Sequence, residues 1–423
     1  MEIHDDGQIF FEGVSAEELA SAYGTPLYVY EENRIRQNFR RALAAFRKYY
    51  PDTRFFYAIK ANNNLAVANI LRQEGAGIDA ASVNEILLAR EIGLGGDDVM
   101  FSGNFLSDED IRQGVESGVI FNLDDLSLLP RVLKYGVPER LSFRVNPGYG
   151  QCDIGAFVCN AGPDAKFGLH PDQVLPAYKA AKEAGVKRFG AHMMPGSSIR
   201  DPEYFGYVTG LLMDLVGRAG QELGIDFDFI DLGGGLGIPY RHEDAPLDIE
   251  AAAERVAQVF QQKIAQYGLK PPRLMMEPAR YFVGDAGYII GRVHAVKESY
   301  KRIVGTDIGM NVLARPALYG AYHHIYVNRR EQEPRIPLNL CGQLCENTDL
   351  WVRDRALPQG TQVGDLVVVE NAGAYGYAMS YQYNGRLRPA EALVNGTRHV
   401  LVRRAETIAD VVGLMNVPDE LKK

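Results

Sequence analysis

The chain has 423 residues, of which 46% are hydrophobic and 23% charged, with a formal net charge of −9. That length exceeds one ordinary core, so about two domains are expected, and an acidic balance with no basic run argues against a nucleic-acid partner. The opening Met1-Glu2-Ile3-His4-Asp5-Asp6 lacks the basic start and apolar stretch of a signal peptide, and no apolar run approaches bilayer-spanning length.

In chain order, 8–11 and 27–29 are strand-like and are expected to join a later β domain, making it discontinuous in sequence. The run Phe55-Phe56-Tyr57-Ala58-Ile59-Lys60-Ala61-Asn62 is the most informative stretch. It reads as a buried strand delivering one lysine at its carboxyl end. Burial disfavours the ammonium and favours the neutral, nucleophilic amine that forms a Schiff base. Taken alone, the motif leaves open the plainer reading of a lysine emerging into solvent.

From about 54 to 280, short apolar strands alternate with helical stretches: 55–59, 77–80, 98–101, 119–122, 141–145, 188–192, 227–231 and 274–277. Ser107 with Asp110 forms a capping box, and Pro171 opens a helix that Gly185 closes. Eight βα repeats point to an α/β fold, a (β/α)8 TIM-like barrel. After Val283 the segments 292–297, 325–327, 336–340, 366–370 and 399–403 are short, β-rich and separated by turns, which reads as a C-terminal antiparallel β domain. The expected division is 33–285 for the barrel, with 1–32 and 286–423 as a β-sandwich or β-barrel domain that completes the active site.

Barrel enzymes carry their chemistry at the carboxyl ends of the strands. Here those ends supply Lys60, then Asp79 with Ser82 and Glu85, then Arg144, then His192 followed by Pro195-Gly196-Ser197-Ser198. The seventh ends in Asp231-Leu232-Gly233-Gly234-Gly235-Leu236-Gly237 and the eighth in Glu277-Pro278-Ala279-Arg280. The glycine run exposes backbone N–H groups to an anion, and Arg280 and Ser197 add a charge and a hydroxyl. Ile238 breaks the dinucleotide fingerprint. A tight turn accounts for one or two of these glycines but poorly for four in five positions. A Schiff-base lysine opposite a phosphate cradle points to pyridoxal 5′-phosphate, and Glu277 stands where a carboxylate keeps the pyridinium protonated.

At this point the chain resembles the fold type III (alanine racemase-like) pyridoxal-phosphate decarboxylases, which include diaminopimelate decarboxylase and eukaryotic-type ornithine decarboxylase. The likeness covers nearly the whole chain. Tyr57-Ala58-Ile59-Lys60-Ala61-Asn62 resembles the cofactor-lysine motif, Asp231 through Gly237 the phosphate loop, and Glu277-Pro278-Ala279-Arg280 the family's Glu-Pro-Gly-Arg. Cys345-Glu346-Asn347-Thr348-Asp349 is similar to its Cys-Glu-Ser-x-Asp element, and Gly373-Ala374-Tyr375-Gly376 to its glycine–tyrosine loop. The resemblance implies a head-to-tail homodimer with shared active sites, while the cysteine usage makes a reducing cytoplasm the default compartment. It implies that Lys60 holds the cofactor, that Glu277 binds its ring nitrogen, and that Asp79, Arg144, Ser197, Gly233, Gly234, Gly235, Arg280 and Tyr375 surround it. Cys345 is implied as a proton donor to the carbanion, with Cys345 and Glu346 coming from the second subunit. Arg315-Pro316-Ala317-Leu318-Tyr319 resembles the diaminopimelate branch, in which Arg315 and Tyr319 bind a substrate carboxylate beside Arg280, Glu346 and Tyr375. An arginine fork suits that bidentate task.

Two departures stand beside the expected site. The family's His-x-His-Ile-Gly-Ser reads His192-Met193-Met194-Pro195-Gly196-Ser197 here, so Met194 replaces an imidazole on the cofactor ring. Its Met-Ser-Ser-x-Tyr-Asn becomes Met379-Ser380-Tyr381-Gln382-Tyr383-Asn384. The implied reaction is decarboxylation of a small amino-acid substrate, meso-diaminopimelate to L-lysine, with D-ornithine or D-lysine as the alternative. A racemase and an inactive regulatory homologue are the competing classes. No metal is expected: Cys152, Cys159, Cys341 and Cys345 show no Cys-x-x-Cys spacing, and His323-His324 reads as structural or near the entrance. The Gly-rich segment 148–168 reads as a lid, and Trp351 as a packing or interface residue.

Overall fold

Eight parallel strands close into a barrel: β1 Thr53–Ala58, β2 Gly77–Ala80, β3 Val99–Phe101, β4 Ile120–Leu123, β5 Arg140–Val145, β6 Arg188–Met193, β7 Phe227–Asp231 and β8 Arg273–Met276. Strands adjacent in sequence are adjacent in the barrel, and β8 closes onto β1 with Met276 opposite Phe55. The computed structural model describes residues 1–152 and 159–422. The chain divides into two units, Ile35–Gly284, which contains the barrel, and Met1–Arg34 with Asp285–Lys423.

The strand period of two sorts the side chains of β1. Phe55 faces outward onto Phe39, Phe46 and Phe282, with ring centroids 5.5–6.0 Å apart. Phe56 faces the interior, where it joins Met100, Ile120, Phe229 and Met275 in a cluster no more than 2% exposed. Burial of such side chains contributes about 1.5–3 kcal/mol each, so this plug anchors the strands whose ends carry the polar residues. Around the barrel, Ser107 and Asp110 form the capping box of helix Asp108–Ser117. Helix Pro171–Glu183 starts at its proline, and Gly185 follows its end with φ of 95°.

Two strand ends differ from the sequence reading in a way that matters. β1 stops at Ala58, and Lys60 sits in the 3-10 turn Ile59–Ala61; β8 stops at Met276, leaving Glu277 just beyond the sheet. Residues 153–158 of the proposed lid segment 148–168 lie outside the described residues.

The second unit holds a nine-stranded sheet centred on the long strand Gly287–Glu298. Leu27–Glu31 lies inside this sheet, antiparallel to Gly287–Glu298 and parallel to Ala390–Asn395. Arg302–Thr306 and Arg335–Cys341 are also parallel. The domain is therefore mixed rather than wholly antiparallel: alternation reveals a strand but not the direction of its neighbour. Its core gathers Ile9, Phe11, Leu27, Val29, Ile290 and Val368, all fully buried. Among the described residues, no helix is long and apolar enough to cross a membrane.

Candidate active site

The polar residues at the strand ends converge inside the barrel unit. The turn after β1 is pinned by the Tyr57 hydroxyl donating to the Asn62 carbonyl at 2.9 Å, and Asn62 Oδ1 accepts from Asn64 N–H at 3.0 Å. This presents Lys60, whose Nζ donates to Asp79 Oδ2 at 2.8 Å. Lys60 is not the desolvated lysine expected from the apolar run: its side chain is 41% exposed and ion-paired. The turn carries it out of the strand, and pairing with a carboxylate favours the ammonium. Asp79 is fully buried; burial and then Glu277 raise its carboxyl above the ordinary range, against the pull of Lys60. Ser82 and Glu85 have a local role instead: Ser82 accepts from Glu85 N–H as the N-cap of helix Val83–Glu91, and Glu85 accepts from Ala81 N–H at 2.6 Å.

Glu277 and His192 are almost completely buried, and His192 Nε2 lies 3.3 Å from Glu277 Oε1. The spacing permits an ion pair, but the geometry is not that of a hydrogen bond, and both imidazole nitrogens and Glu277 Oε1 lack a hydrogen-bond partner among the described residues. Burial works against ionisation of Glu277, yet His192, Lys60 and Arg144 together hold its carboxyl below the ordinary range. Asp231 completes the group, with one ligating atom from each of the three residues within 4.8 Å of the others. Burial and then Glu277 push the Asp231 carboxyl well above the ordinary range. Its Oδ1 accepts from Gly233 N–H at 2.7 Å, while Oδ2 has no partner among the described residues.

The glycine loop is shaped by close backbone approach. A Cβ on Gly234 would meet the Glu277 carbonyl at 2.8 Å, and one on Gly237 would meet Ser198 at 2.6 Å. Gly233 and Gly235 have φ of 69° and 97°. Reciprocal bonds from Ile199 N–H to Gly235 O and from Gly237 N–H to Ile199 O, both 2.9 Å, lay the loop against the segment after Ser197. Ser198, itself at φ 61°, is 4% exposed and its Oγ has no partner among the described residues. Met194 lies at this loop: its Sδ is 3.0 Å from the Gly234 nitrogen and accepts that N–H. Ser197 pairs in register with Cys152, whose thiol is pushed up to about 12 by burial and by its hydrogen bond with Cys159.

Two arginines are held by residues the sequence reading passed over. Arg144 lies 4.2 Å over the Phe167 ring, donates to the Asn160 carbonyl at 3.0 Å and has Nε 4.0 Å from Asp124 Oδ1. Asp124 was findable, because it directly follows β4 at a strand end, the position that singled out the others. Arg280 opens helix Arg280–Val283, and its Nη1 donates to the Tyr240 hydroxyl at 2.5 Å. No local pattern marks Tyr240.

The remaining site residues belong to the second unit. Cys345 and Glu346 are exposed, on a loop folded by buried Asp349, which accepts from Met310 N–H at 2.6 Å and Leu344 N–H at 2.8 Å. Cys345 N–H donates to Asn384 Oδ1 at 2.7 Å. Tyr375 is half-buried at φ 58°. Arg315 is 1% exposed at the start of helix Arg315–Tyr319, where Tyr319 is half-buried. Tyr381 N–H donates to the Asn311 carbonyl at 3.0 Å, and Trp351 Nε1 donates to the Ile308 carbonyl at 2.9 Å.

The model of the pyridoxal-binding domain of pyridoxal-dependent decarboxylases matches residues 36–284. This chain belongs to that family. Among the pyridoxal-dependent decarboxylases similar to it, the diaminopimelate decarboxylase of Methanothermobacter thermautotrophicus is 44% identical over 426 residues, covering 100% of this chain and 99% of the relative. That of Thermoplasma acidophilum is 38% identical over 410 residues, covering 96% and 97%. The crystal structure of the M. jannaschii diaminopimelate decarboxylase with L-lysine matches with a TM-score of 0.91 and 34% identity, over 99% of this chain and 98% of that one.

The cofactor of this decarboxylase is pyridoxal 5′-phosphate, and the site fits it. Buried Glu277 Oε1, Asp79 Oδ1 and Ser198 Oγ lack partners among the described residues, as acceptors and donors reserved for a ligand do. A primary amine stands 2.8 Å from one of these carboxylates, and the glycine loop has no room for side chains that would cover its backbone.

Proposed function

We propose that this protein removes one carboxyl group of meso-diaminopimelate to give L-lysine. The observation that carries the reading is full-length identity to diaminopimelate decarboxylases, 44% over 100% of the chain, joined to a buried Arg315 of the kind that reads a second carboxylate. Lys60 is the residue that carries the cofactor. When bound, the cofactor supplies an electron sink for the pair left on Cα as carbon dioxide departs. Glu277 accepts from the ring nitrogen and keeps it protonated, and its depressed pKa makes it an anion for that task. The glycine loop, Ser197 and Arg280 bind phosphate, while Asp79 and Arg144 hold the electrostatic frame around Lys60. Met194 shapes the ring pocket through apolar contact, since a thioether has no proton to give.

Arg315 and Tyr319 bind the carboxylate that is retained, Glu346 binds the amine beside it, and Tyr375 lies near the phosphate. Cys345 returns the proton to Cα. Cys345 and Glu346 are exposed on their own chain, which supports donation to the site of a second copy, and we read the enzyme as a cytoplasmic homodimer.

The test is carbon dioxide release by the cofactor-loaded enzyme, with meso-diaminopimelate, D-lysine, D-ornithine and the L-forms compared side by side. Preference for meso-diaminopimelate is the expected result. Preference for D-lysine or D-ornithine overturns the substrate and points to Met194 and Tyr381, and racemisation without carbon dioxide release overturns the reaction.

A further inference from the structure

Met194 occupies a backbone donor of the glycine loop. It directly follows β6, whose last residue, Met193, is fully buried. Its Sδ accepts from Gly234 N–H at 3.0 Å, 40 residues on in the chain. The sulfur reaches the loop because no side chain stands between them: a Cβ on Gly233 would meet it at 2.9 Å. A thioether is a weak acceptor, so the bond contributes little and is readily exchanged for a better one.

The remaining bonds of the loop show what could take its place. Leu232 N–H donates to the Met275 carbonyl at 3.0 Å, Gly233 N–H to Asp231 Oδ1 at 2.7 Å and Gly237 N–H to the Ile199 carbonyl at 2.9 Å. Gly235 N–H and Leu236 N–H have no acceptor among the described residues. The donors not committed to an oxygen are therefore consecutive, from Gly234 to Leu236, with Gly235 between them at φ 97°. Successive N–H groups about a left-handed residue form a concavity for an anion. Met194 covers the first of these donors. An N–H bonds well along one direction only, so it cannot serve the sulfur and a phosphate oxygen at full strength together. The loop itself cannot turn away, because the Gly233 carbonyl accepts from Glu277 N–H at 2.8 Å and the Gly235 carbonyl from Ile199 N–H at 2.9 Å. The side chain is the part free to yield, and the rotatable bonds of methionine let it withdraw without moving the strand.

We propose that Met194 competes with the cofactor phosphate for Gly234 N–H, so that phosphate enters by displacing the thioether and the acceptor strength of residue 194 sets cofactor affinity. The inference rests on the reading that the glycine loop grips the phosphate. The exchange is favourable because a charge-assisted bond to a phosphate oxygen replaces a weak one to sulfur.

The experiment uses the full chain stripped of cofactor, with wild type, Met194→Leu and Met194→Gln each titrated with inorganic phosphate and with pyridoxal 5′-phosphate. Leucine is close to methionine in volume and accepts nothing, whereas glutamine has a similar reach and a stronger acceptor. The Kd for inorganic phosphate is expected to fall by about two- to tenfold with leucine and to rise by a similar factor with glutamine, the range of one ordinary hydrogen bond. The Kd for the cofactor follows in the same order. With isotope-labelled methionine methyl groups, the Met194 resonance, identified by its loss in either variant, shifts as wild type is saturated with inorganic phosphate. A phosphate Kd that is unaltered in both variants or weakened in both overturns the role of Met194, as does a methyl resonance that ignores phosphate. A change confined to the cofactor leaves Met194 as a ring contact only and overturns the competition too. Inorganic phosphate that does not compete with the cofactor in wild type overturns the loop as the phosphate grip instead, and the inference falls with it. If one variant fails to fold, the other still identifies the methyl resonance, whose response to phosphate then decides.

Discussion

Replacing Glu277 by glutamine is the perturbation most closely tied to the chemistry. The side chain is 4% exposed, so water cannot substitute for it, and its backbone N–H stays bonded to the Gly233 carbonyl at 2.8 Å, so the amide would be held in the same place. What changes is the charge. His192, Lys60 and Arg144 hold the carboxyl below the ordinary range, so the native group is an anion, the form proposed to meet the ring nitrogen, and glutamine is a neutral acceptor of nearly the same shape. The difference is that of a charge-assisted against an ordinary hydrogen bond, about 1–1.5 kcal/mol. If it is felt only as electrons move into the ring, kcat/KM falls by roughly five- to twelvefold. The assay is steady-state decarboxylation at saturating cofactor, with bound cofactor followed by absorbance. A variant with full cofactor occupancy and a rate within about twofold of wild type would falsify the assignment of Glu277 to the ring nitrogen.

Lys60→Ala is expected to lose the absorbance of covalently held cofactor and the activity with it; retained turnover would remove Lys60 from its role. Gly234→Ala places a methyl 2.8 Å from the Glu277 carbonyl, a backbone atom that cannot yield easily, so the loop must shift. Its cofactor affinity should drop by roughly tenfold or more, given a cost of about 1–3 kcal/mol for such overpacking, and unaltered cofactor binding would show that the loop does not grip the phosphate. In the cofactor-free protein the Asp231 carboxyl titrates above its ordinary 3.8, so the native state holds a proton that the unfolded chain releases, and stability falls as pH rises from about that value through the folded one. Asp231→Asn removes this slope and can keep the Gly233 N–H bond, so thermal melts across that window should show the variant gaining on wild type as pH rises; a pH-independent difference would mean Asp231 is ionised in the fold. Glu277 has the opposite sign, with its contribution complete above 4.5 and lost as pH falls through its lower folded value.

The strand-end residues were legible in the sequence because the rules that expose them are local. A period of two marks a strand, a polar residue or glycine follows at its carboxyl end, and eight repetitions make a barrel whose chemistry is at one face. Lys60, Asp79, Arg144, His192, the glycine loop and Glu277 all came from that grammar, and the capping box at Ser107 and Asp110 is local in the same sense. Applied to β4, it would also have found Asp124.

What the chain pattern could not carry is which groups face each other across the fold. The apolar run before Lys60 implied a dry lysine, whereas a turn of one residue triplet moves it into an ion pair with Asp79, 19 residues away. Met194 differs from the family's histidine in sequence, but only folding shows its sulfur meeting the Gly234 N–H, 40 residues on. Alternation identified Leu27–Glu31 as a strand, while its parallel pairing with Ala390–Asn395 depends on contacts more than 350 residues apart. Residue type and spacing therefore determined the reaction class of this protein. Charge state, orientation and hydrogen-bond partner were decided by tertiary structure, because burial and proximity set them and neither is a property of a local stretch of chain.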